Sequence, residues 1–198
     1  MKPLCHPLHE ALRYGAERAN AAMHDQGLSD PEHSWLGCHL ARVQAGMYLR
    51  RNQADIAPWK VLTGQRTGSL QLVWGQSKLR VLRPLDGGLP IPGRNRARQC
   101  YYIQETITDL PLQEALPELD VSRYVAVWDI LDYGSFDVGI QVYRTVGTFN
   151  IGDSSKVDLA FWLPDEADGI DEMSFEPSDD GIELPIPQEE ADDDTLHG

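Results

Sequence analysis

Two segments near the N-terminus place apolar residues at helical spacing. The first runs from Pro7 to Gln26 and the second begins at Asp30, which precedes a proline in the first helical position. The apolar positions of the first are Leu8, Leu12, Ala16, Ala19 and Met23, and those of the second are Leu36, Leu40, Val43 and Met47. Since only about three residues separate the segments, they predict an antiparallel helical hairpin over residues 5–51.

The first helix also carries small residues at every fourth position. Ala11, Gly15 and Ala19 form a narrow face, and such a face lets another helix approach closely. Two interpretations remain open: the face packs against the second helix, or it forms a homo-oligomer contact.

A strand-like alternation begins after residue 68 and defines a β section over residues 69–163. Before it, Ile56, Trp59 and Val61 predict a short turn that packs under the helices. The predicted strands cover residues 70–74, 79–83, 124–130, 136–146 and 157–163. The segment from Cys100 to Thr108 reads as another strand, with a helix over residues 94–104 as the alternative. The pattern predicts one α+β domain, residues 1–163, in which the helix pair packs on a mainly antiparallel sheet.

The remaining segment, residues 164–198, has a different composition. It contains fourteen acidic residues and no Lys or Arg, which predicts a disordered acidic C-terminal tail. Spaced apolar residues within it suggest that it docks on a basic partner. The residues expected to bind that partner are Asp171, Glu172, Phe175, Glu176, Asp179 and Asp180.

Charge is distributed unevenly along the chain. The net charge is −14, yet residues 1–100 carry 14 Lys and Arg against 7 Asp and Glu. The three scattered cysteines, Cys5, Cys38 and Cys100, do not form a disulfide framework and predict reduced thiols. With neither a secretory signal nor an apolar run of about 20 residues, the expected location is cytoplasmic and no membrane partner is expected.

The most basic stretch lies between Leu70 and Tyr102. Its cations are expected to form a patch that binds nucleic acid or an acidic protein surface, and the two tyrosines that follow add stacking rings. The predicted binding residues are Lys78, Arg80, Arg83, Arg94, Arg96, Arg98, Tyr101 and Tyr102.

No segment has the spacing of a catalytic or metal site. His9 is followed one turn later by Arg13, where a zinc-protease helix needs a second histidine, so His9 and Glu10 read as surface residues. The histidines and cysteines of the hairpin lack zinc-ligand spacing. Asp129, Asp132 and Asp137 cluster at a predicted hairpin tip, where polar residues are usual. We therefore expect no catalytic residue, no metal and no cofactor.

The order of elements resembles that of small proteins of bacterial chromosomes and mobile elements. The resemblance rests on the helix pair, the hairpin ending in LRVLRP, the stretch PIPGRNRARQCYY and the hairpin containing YVAVWDI. It implies a bacterial or phage origin and no particular activity.

Three functions fit these patterns. The leading hypothesis is a non-enzymatic regulatory or neutralising partner that uses its acidic C-terminal region to bind a basic protein. The alternatives are a nucleic-acid-binding protein whose basic patch is gated by the tail, and a Mg²⁺-dependent nuclease using Asp129 and Asp137.

Overall fold

The computed structural model describes residues 1–62, 69–84, 88–92, 99, 101–104, 122–147, 156–171 and 182–183. Helix α1 spans Cys5–Asp25 and follows a 3₁₀ turn at Lys2–Leu4. Helix α2 spans Ser34–Arg51 and follows a 3₁₀ turn at Pro31–His33. The predicted helical hairpin is therefore present, and α1 begins two residues before the expected Pro7.

Helix α1 ends through a glycine with left-handed backbone geometry. Gly27 has φ +66°, and its N–H bonds to the His24 carbonyl while the Leu28 N–H bonds to the Met23 carbonyl at 2.8 Å. This pair of bonds is the Schellman arrangement, which satisfies the last carbonyls of a helix. It turns the chain sharply enough for α2 to return along α1.

The two helices are antiparallel and approach closely. Tyr14 stacks on Tyr48 with ring centroids 5.1 Å apart, whereas Gly37, near the start of α2, faces Met23, near the end of α1. A Cβ atom on Gly15 would overlap the Ala41 carbonyl oxygen. The small face of α1 thus serves as the contact with α2.

Helix α2 buries a different face from the one that its larger apolar residues predict. Its buried residues are Ala41, Ala45, Gly46 and Leu49. Met47, from the expected stripe, is 39% exposed. The close approach of the helix backbones explains the difference, because only small side chains fit between them.

Within the described residues the sheet has seven strands, arranged in chain order, whereas the sequence pattern predicts about five. Five of the six strand pairs are antiparallel, and β3 pairs with β4 in parallel. The strands are β1 (Lys60–Val61), β2 (Leu70–Trp74), β3 (Ser77–Leu82), β4 (Arg123–Asp132), β5 (Asp137–Val146), β6 (Lys156–Trp162) and β7 (Ile182–Glu183). The protein is thus an α+β fold, with the helix pair packed on a mainly antiparallel sheet.

Each face of the sheet has its own apolar core. The helix-facing core is the larger and contains Leu72, Leu79, Trp128 and Ile140. The opposite face carries a smaller cluster that includes Val125, Tyr143 and Val157. Tyr101 and Tyr102 belong to this second cluster. They lie in a helical segment, so the strand predicted from Cys100 to Thr108 is wrong at these two residues; residues 94–98 and 105–108 lie outside the described residues.

Little of the predicted acidic tail lies within the described residues. Helix α3 (Asp168–Asp171) follows β6, and β7 pairs antiparallel with the start of β6 through Val157↔Ile182 and Lys156↔Glu183. Part of the acidic segment is therefore the edge strand of the sheet. The remainder of the tail prediction concerns residues outside the described ones.

Candidate functional site

Strand register places three cations in one line across the sheet. Lys60 on β1 pairs with Val73 on β2, Val73 pairs with Lys78 on β3, and Lys78 pairs with Arg123 on β4. Arg80 lies two residues after Lys78 on β3, and so on the same face of the sheet, where it pairs with Gln71 on β2 and Val125 on β4. We call Lys60, Lys78, Arg80 and Arg123 the cationic row.

The alternation of the strands determines which face carries the cationic row. Val61, Leu79 and Val81 are buried in the helix-facing core. Because successive side chains of a strand point to opposite faces, Lys60, Lys78 and Arg80 lie on the face away from the helices. Lys60 and Lys78 are exposed, whereas Arg80 and Arg123 are partly buried.

A glutamine outside the predicted patch fixes the start of β4. The Gln104 side chain donates to the Arg123 carbonyl at 2.8 Å, accepts from the Arg123 N–H at 2.7 Å and also donates to the Thr145 carbonyl at 3.0 Å. The Lys78 N–H donates to the Ser122 carbonyl at 2.9 Å. These bonds hold Arg123 beside Lys78.

The spacing of the cationic row concentrates positive charge. Neighbouring strands lie about 4.8 Å apart, so Lys78 and Arg123 start from adjacent backbone positions, and like charges so placed repel each other. Arg80 and Arg123 have further interactions within the molecule, and the Arg80 guanidinium lies 5.9 Å from the centre of the Tyr101 ring. Among the described residues, no carboxylate forms an ion pair with Lys60 or Lys78.

The structure divides the predicted basic patch. Lys78 and Arg80 share one face, but Arg83 follows β3 on the helix side, where it lines a pocket with Cys38. Arg94, Arg96 and Arg98 lie outside the described residues. The structure therefore places Arg83 apart from Lys78 and Arg80, since the two-residue period of a strand carries Arg83 and Arg80 to opposite faces.

The structure buries the two tyrosines that the sequence predicts as stacking rings. Tyr101 is 8% exposed and Tyr102 is 2% exposed, so neither ring can receive a base. The Tyr102 hydroxyl donates to the Pro90 carbonyl at 2.6 Å. Burial raises the pKa of Tyr101 to about 12, and the nearby Arg80 and Arg123 charges oppose that shift.

The sequence pattern missed Lys60 and Arg123. Lys60 belongs to a strand of only two residues, which is too short to show alternation. Arg123 comes directly before the predicted strand 124–130 and joins Lys78 only through the parallel pairing of β3 with β4. The local sequence gives one signal for Lys60, which is an exposed cation followed directly by the buried apolar Val61.

The three carboxylates of the β4–β5 hairpin already have contacts within the protein. Asp132 accepts bonds from the Ser135 hydroxyl at 2.7 Å and from the Gly134 N–H at 2.9 Å, and these bonds lower its pKa. Asp129 accepts from the Ile130 N–H, and Asp137 lies 3.8 Å from Arg13. Within the described residues, no group of three or more His, Cys, Asp or Glu side chains could hold a metal ion. The Asp129–Asp137 arrangement therefore gives no geometric support for a nuclease centre.

A polar cluster joins α1 to the segment after β6. His9, which the sequence suggested was a surface residue, is 5% exposed, and its Nδ1 bonds to the Cys5 carbonyl at 2.7 Å. Asp165 lies 3.2 Å from His6 and 3.8 Å from Arg13. The Asp165 Oδ1 also lies 4.0 Å from the His9 Nδ1, so the segment after β6 reaches the buried histidine.

The residues proposed to bind a basic partner remain a prediction. Asp171 ends α3. The other five, Glu172, Phe175, Glu176, Asp179 and Asp180, lie outside the described residues.

Comparison of the chain with protein-family models, with curated proteins and with solved structures finds no match. None of the helices in the described ranges combines the length and apolar character needed to cross a membrane.

Proposed function

We propose that this protein binds nucleic acid through the phosphate backbone, with the cationic row as the contact surface. The observation that carries the proposal is the cross-strand alignment of Lys60, Lys78 and Arg123, with Arg80 one step away. Like charges placed side by side repel each other, and nucleic acid supplies closely spaced anions that the exposed Lys60 and Lys78 can contact.

The dimensions of the row support a backbone contact. From Lys60 to Arg123 the row crosses three strand spacings, or roughly 14 Å. Phosphates along one strand of a duplex rise by about 3.4 Å per nucleotide. The row therefore spans several consecutive phosphates, and the long side chains of Lys60 and Lys78 leave room for adjustment.

The surroundings of the row favour binding without sequence preference. The two tyrosines beside it are buried in the second core, so bases cannot stack on them. Phosphate contacts provide affinity but carry little sequence information. The expected ligand is therefore any nucleic acid of sufficient length.

The direct test is fluorescence anisotropy with labelled 20-nucleotide single-stranded DNA, RNA and duplex DNA, each titrated with the full chain at several salt concentrations. Four phosphate contacts predict that log K falls with log salt with a slope of about −3 for single strands. Changing Lys60 and Lys78 together to Gln should weaken binding at low salt about tenfold or more and reduce the slope.

The matched control replaces Arg18 and Arg51 with Gln. Both are exposed cations on the helix layer, so this variant changes the net charge equally without altering the row. If both double variants lose affinity equally, or if the unaltered chain binds none of the three probes at low salt, the proposal fails. Equal binding of poly-glutamate would assign the row to an acidic protein partner instead.

A further inference from the structure

A pocket separates the helical hairpin from the sheet, on the side away from the cationic row. Its volume is about 220 Å³. Trp128, Ile130 and Phe136 line it from the sheet side, and Ala19 and Met23 line it from α1. The pocket is therefore largely apolar and lies at the end of the sheet where the β4–β5 turn is found.

Small residues on both helices create this space. Ala16, Ala19, Gly37 and Ala41 all line the pocket, and together they present almost no side chain to the sheet. A Cβ atom on Gly37 would meet only Met23, at 3.8 Å. The same small residues that allow the helices to approach each other thus leave a cavity above Trp128.

Arg83 supplies a positive charge to this apolar pocket. It is an exposed residue that lines the pocket together with Cys38; burial raises the pKa of the Cys38 thiol, and the positive charge of Arg83 opposes that larger rise. Within the described part of the chain, no carboxylate lies at salt-bridge distance from Arg83. A guanidinium without a carboxylate partner matches the planar, bidentate geometry of a ligand carboxylate.

Two further residues restrict the ligand. Asp30 is the acidic residue among those lining the pocket, and its charge disfavours a ligand with a second negative group. Trp128 is 3% exposed, and its indole N–H has no acceptor among the described residues. Because that nitrogen is inaccessible, Trp128 restricts the ligand through the apolar surface of its ring and not through a hydrogen bond.

We propose that this pocket binds a small monocarboxylate with an apolar, ring-containing body, whose carboxylate pairs with Arg83. A dry apolar cavity of about 150 Å³ accommodates benzene, so the larger volume here admits a ring together with its carboxylate. Pockets of this kind combine mainly apolar walls with a few polar groups that orient the ligand. The site shares no residue with the cationic row and does not depend on nucleic-acid binding.

The test uses 2-naphthoate and its uncharged analogue 2-naphthamide, titrated into the full-length protein by calorimetry and by ¹H–¹⁵N spectra of the tryptophan indoles. For a ligand of this size we expect a Kd of about 0.1–1 mM for naphthoate. The amide should bind about tenfold more weakly, since it cannot form the charged pair. Naphthoate should shift the Trp128 indole signal, assigned with Trp128→Phe, more than that of Trp59.

Two variants locate the ligand. Arg83→Gln should weaken naphthoate binding about tenfold and leave amide binding unchanged, because it removes only the charged contact. Gly37→Leu should abolish binding of both probes by filling the pocket, and Leu is a better helix former than Gly, so the fold is retained. Gly46→Ala is the control on the same helix, since a Cβ there makes ordinary contacts outside the pocket.

Binding of naphthoate that survives Gly37→Leu would overturn the proposal, because the ligand would then occupy another site. Equal affinities for naphthoate and naphthamide, or no effect of Arg83→Gln, would overturn the role of Arg83. No binding of naphthoate at 5 mM, roughly five times the weakest expected Kd, would overturn the site itself. The Lys60→Gln/Lys78→Gln variant should bind naphthoate normally, and a loss there would place the anion at the cationic row.

Discussion

The hydroxyl groups of Tyr101 and Tyr102 have different partners, although both rings are buried. The Tyr102 hydroxyl bonds to the Pro90 carbonyl at 2.6 Å, whereas the Tyr101 hydroxyl has no partner among the described residues. A buried donor without a partner retains its desolvation cost, and a paired one does not. The two positions should therefore respond differently to the loss of one oxygen atom.

Replacing each tyrosine with phenylalanine tests this difference. Tyr101→Phe should leave the free energy of unfolding unchanged or raise it slightly, since no bond is lost. Tyr102→Phe should lower it by about 1–2 kcal/mol, because the Pro90 carbonyl loses its donor. Urea denaturation of both variants at pH 7 provides the comparison. A larger loss for Tyr101→Phe than for Tyr102→Phe would contradict the assignment.

Tyr101 also predicts a loss of stability in alkali. Burial raises its pKa to about 12 from the ordinary value of 10.0, so the folded state favours the neutral phenol. This contribution is fully present below pH 10 and is lost as the pH rises from 10 through 12, by about 3 kcal/mol in total. Unfolding measured between pH 8 and pH 12 should show a smaller decline for Tyr101→Phe. Parallel declines for the two proteins would refute the prediction.

At the level of elements, the close packing of α1 against α2 depends on the absence of a side chain at Gly15. A Cβ atom on Gly15 would overlap the Ala41 carbonyl oxygen and come within 3.1 Å of the Ala45 nitrogen. Both obstacles are backbone atoms, so they can yield only if the helices separate. Gly37, on α2, has no such restriction.

Alanine at these two glycines should therefore have opposite effects. Gly15→Ala should destabilise the protein by about 1–3 kcal/mol through overpacking, despite a higher helix propensity. Gly37→Ala should raise stability by up to about 1 kcal/mol, the gain expected in a helix interior. The midpoint and slope of urea unfolding measure both changes. A stabilising effect of Gly15→Ala would mean that the helices are farther apart than the structure shows.

The elements that sequence could predict are those whose signals are local. The helical hairpin, the β2–β3 hairpin and the β4–β5 hairpin each join neighbouring segments through a short turn, and turn residues with alternation or helical spacing reveal them. The parallel pairing of β3 with β4 joins segments separated by about forty residues of chain, and no local pattern specifies it. The two-residue strands β1 and β7 were missed for a related reason, since their pairing depends on neighbours already in place.

The same limit applies to the candidate site at the scale of the whole molecule. Clustering of cations in the sequence identified Lys78 and Arg80 but also included Arg83, which the strand places on the other face. Lys60 and Arg123 joined the row only through pairings between distant segments. The pocket beneath the helices likewise depends on which small residues face the sheet, and helical spacing alone does not determine that.

Charge asymmetry links the cationic row to the C-terminal segment. Arg123 on β4 lies opposite Thr145 on β5, as the neighbouring pair Tyr124↔Arg144 shows. From Thr145 the line continues across the sheet to Val157 on β6 and then to Ile182 on β7. The chain therefore passes Glu183 at the end of the sheet where the row lies, about four strand spacings or roughly 19 Å from Lys78. The eleven residues from there to Asp194 reach at most about 36–40 Å.

This tether predicts that acids near the C-terminus oppose nucleic-acid binding more strongly than equal charges elsewhere. Replacing Asp192, Asp193 and Asp194 with Asn should raise affinity for single-stranded DNA about three- to tenfold at low salt, because a tethered anion competes at high effective concentration. The gain should shrink at 0.15 M salt, where charges are screened beyond about 8 Å. Anisotropy titrations at both salt concentrations measure the effect.

The matched control neutralises three exposed acids of the helix layer, Glu17, Asp25 and Glu32. This variant has the same net charge as the first, but its changes lie across the sheet from the row, so affinity should rise less than about twofold. Equal gains for the two variants would show that net charge alone controls affinity. A larger gain for the helix-layer variant would place the binding surface on the helices, contrary to the cationic row.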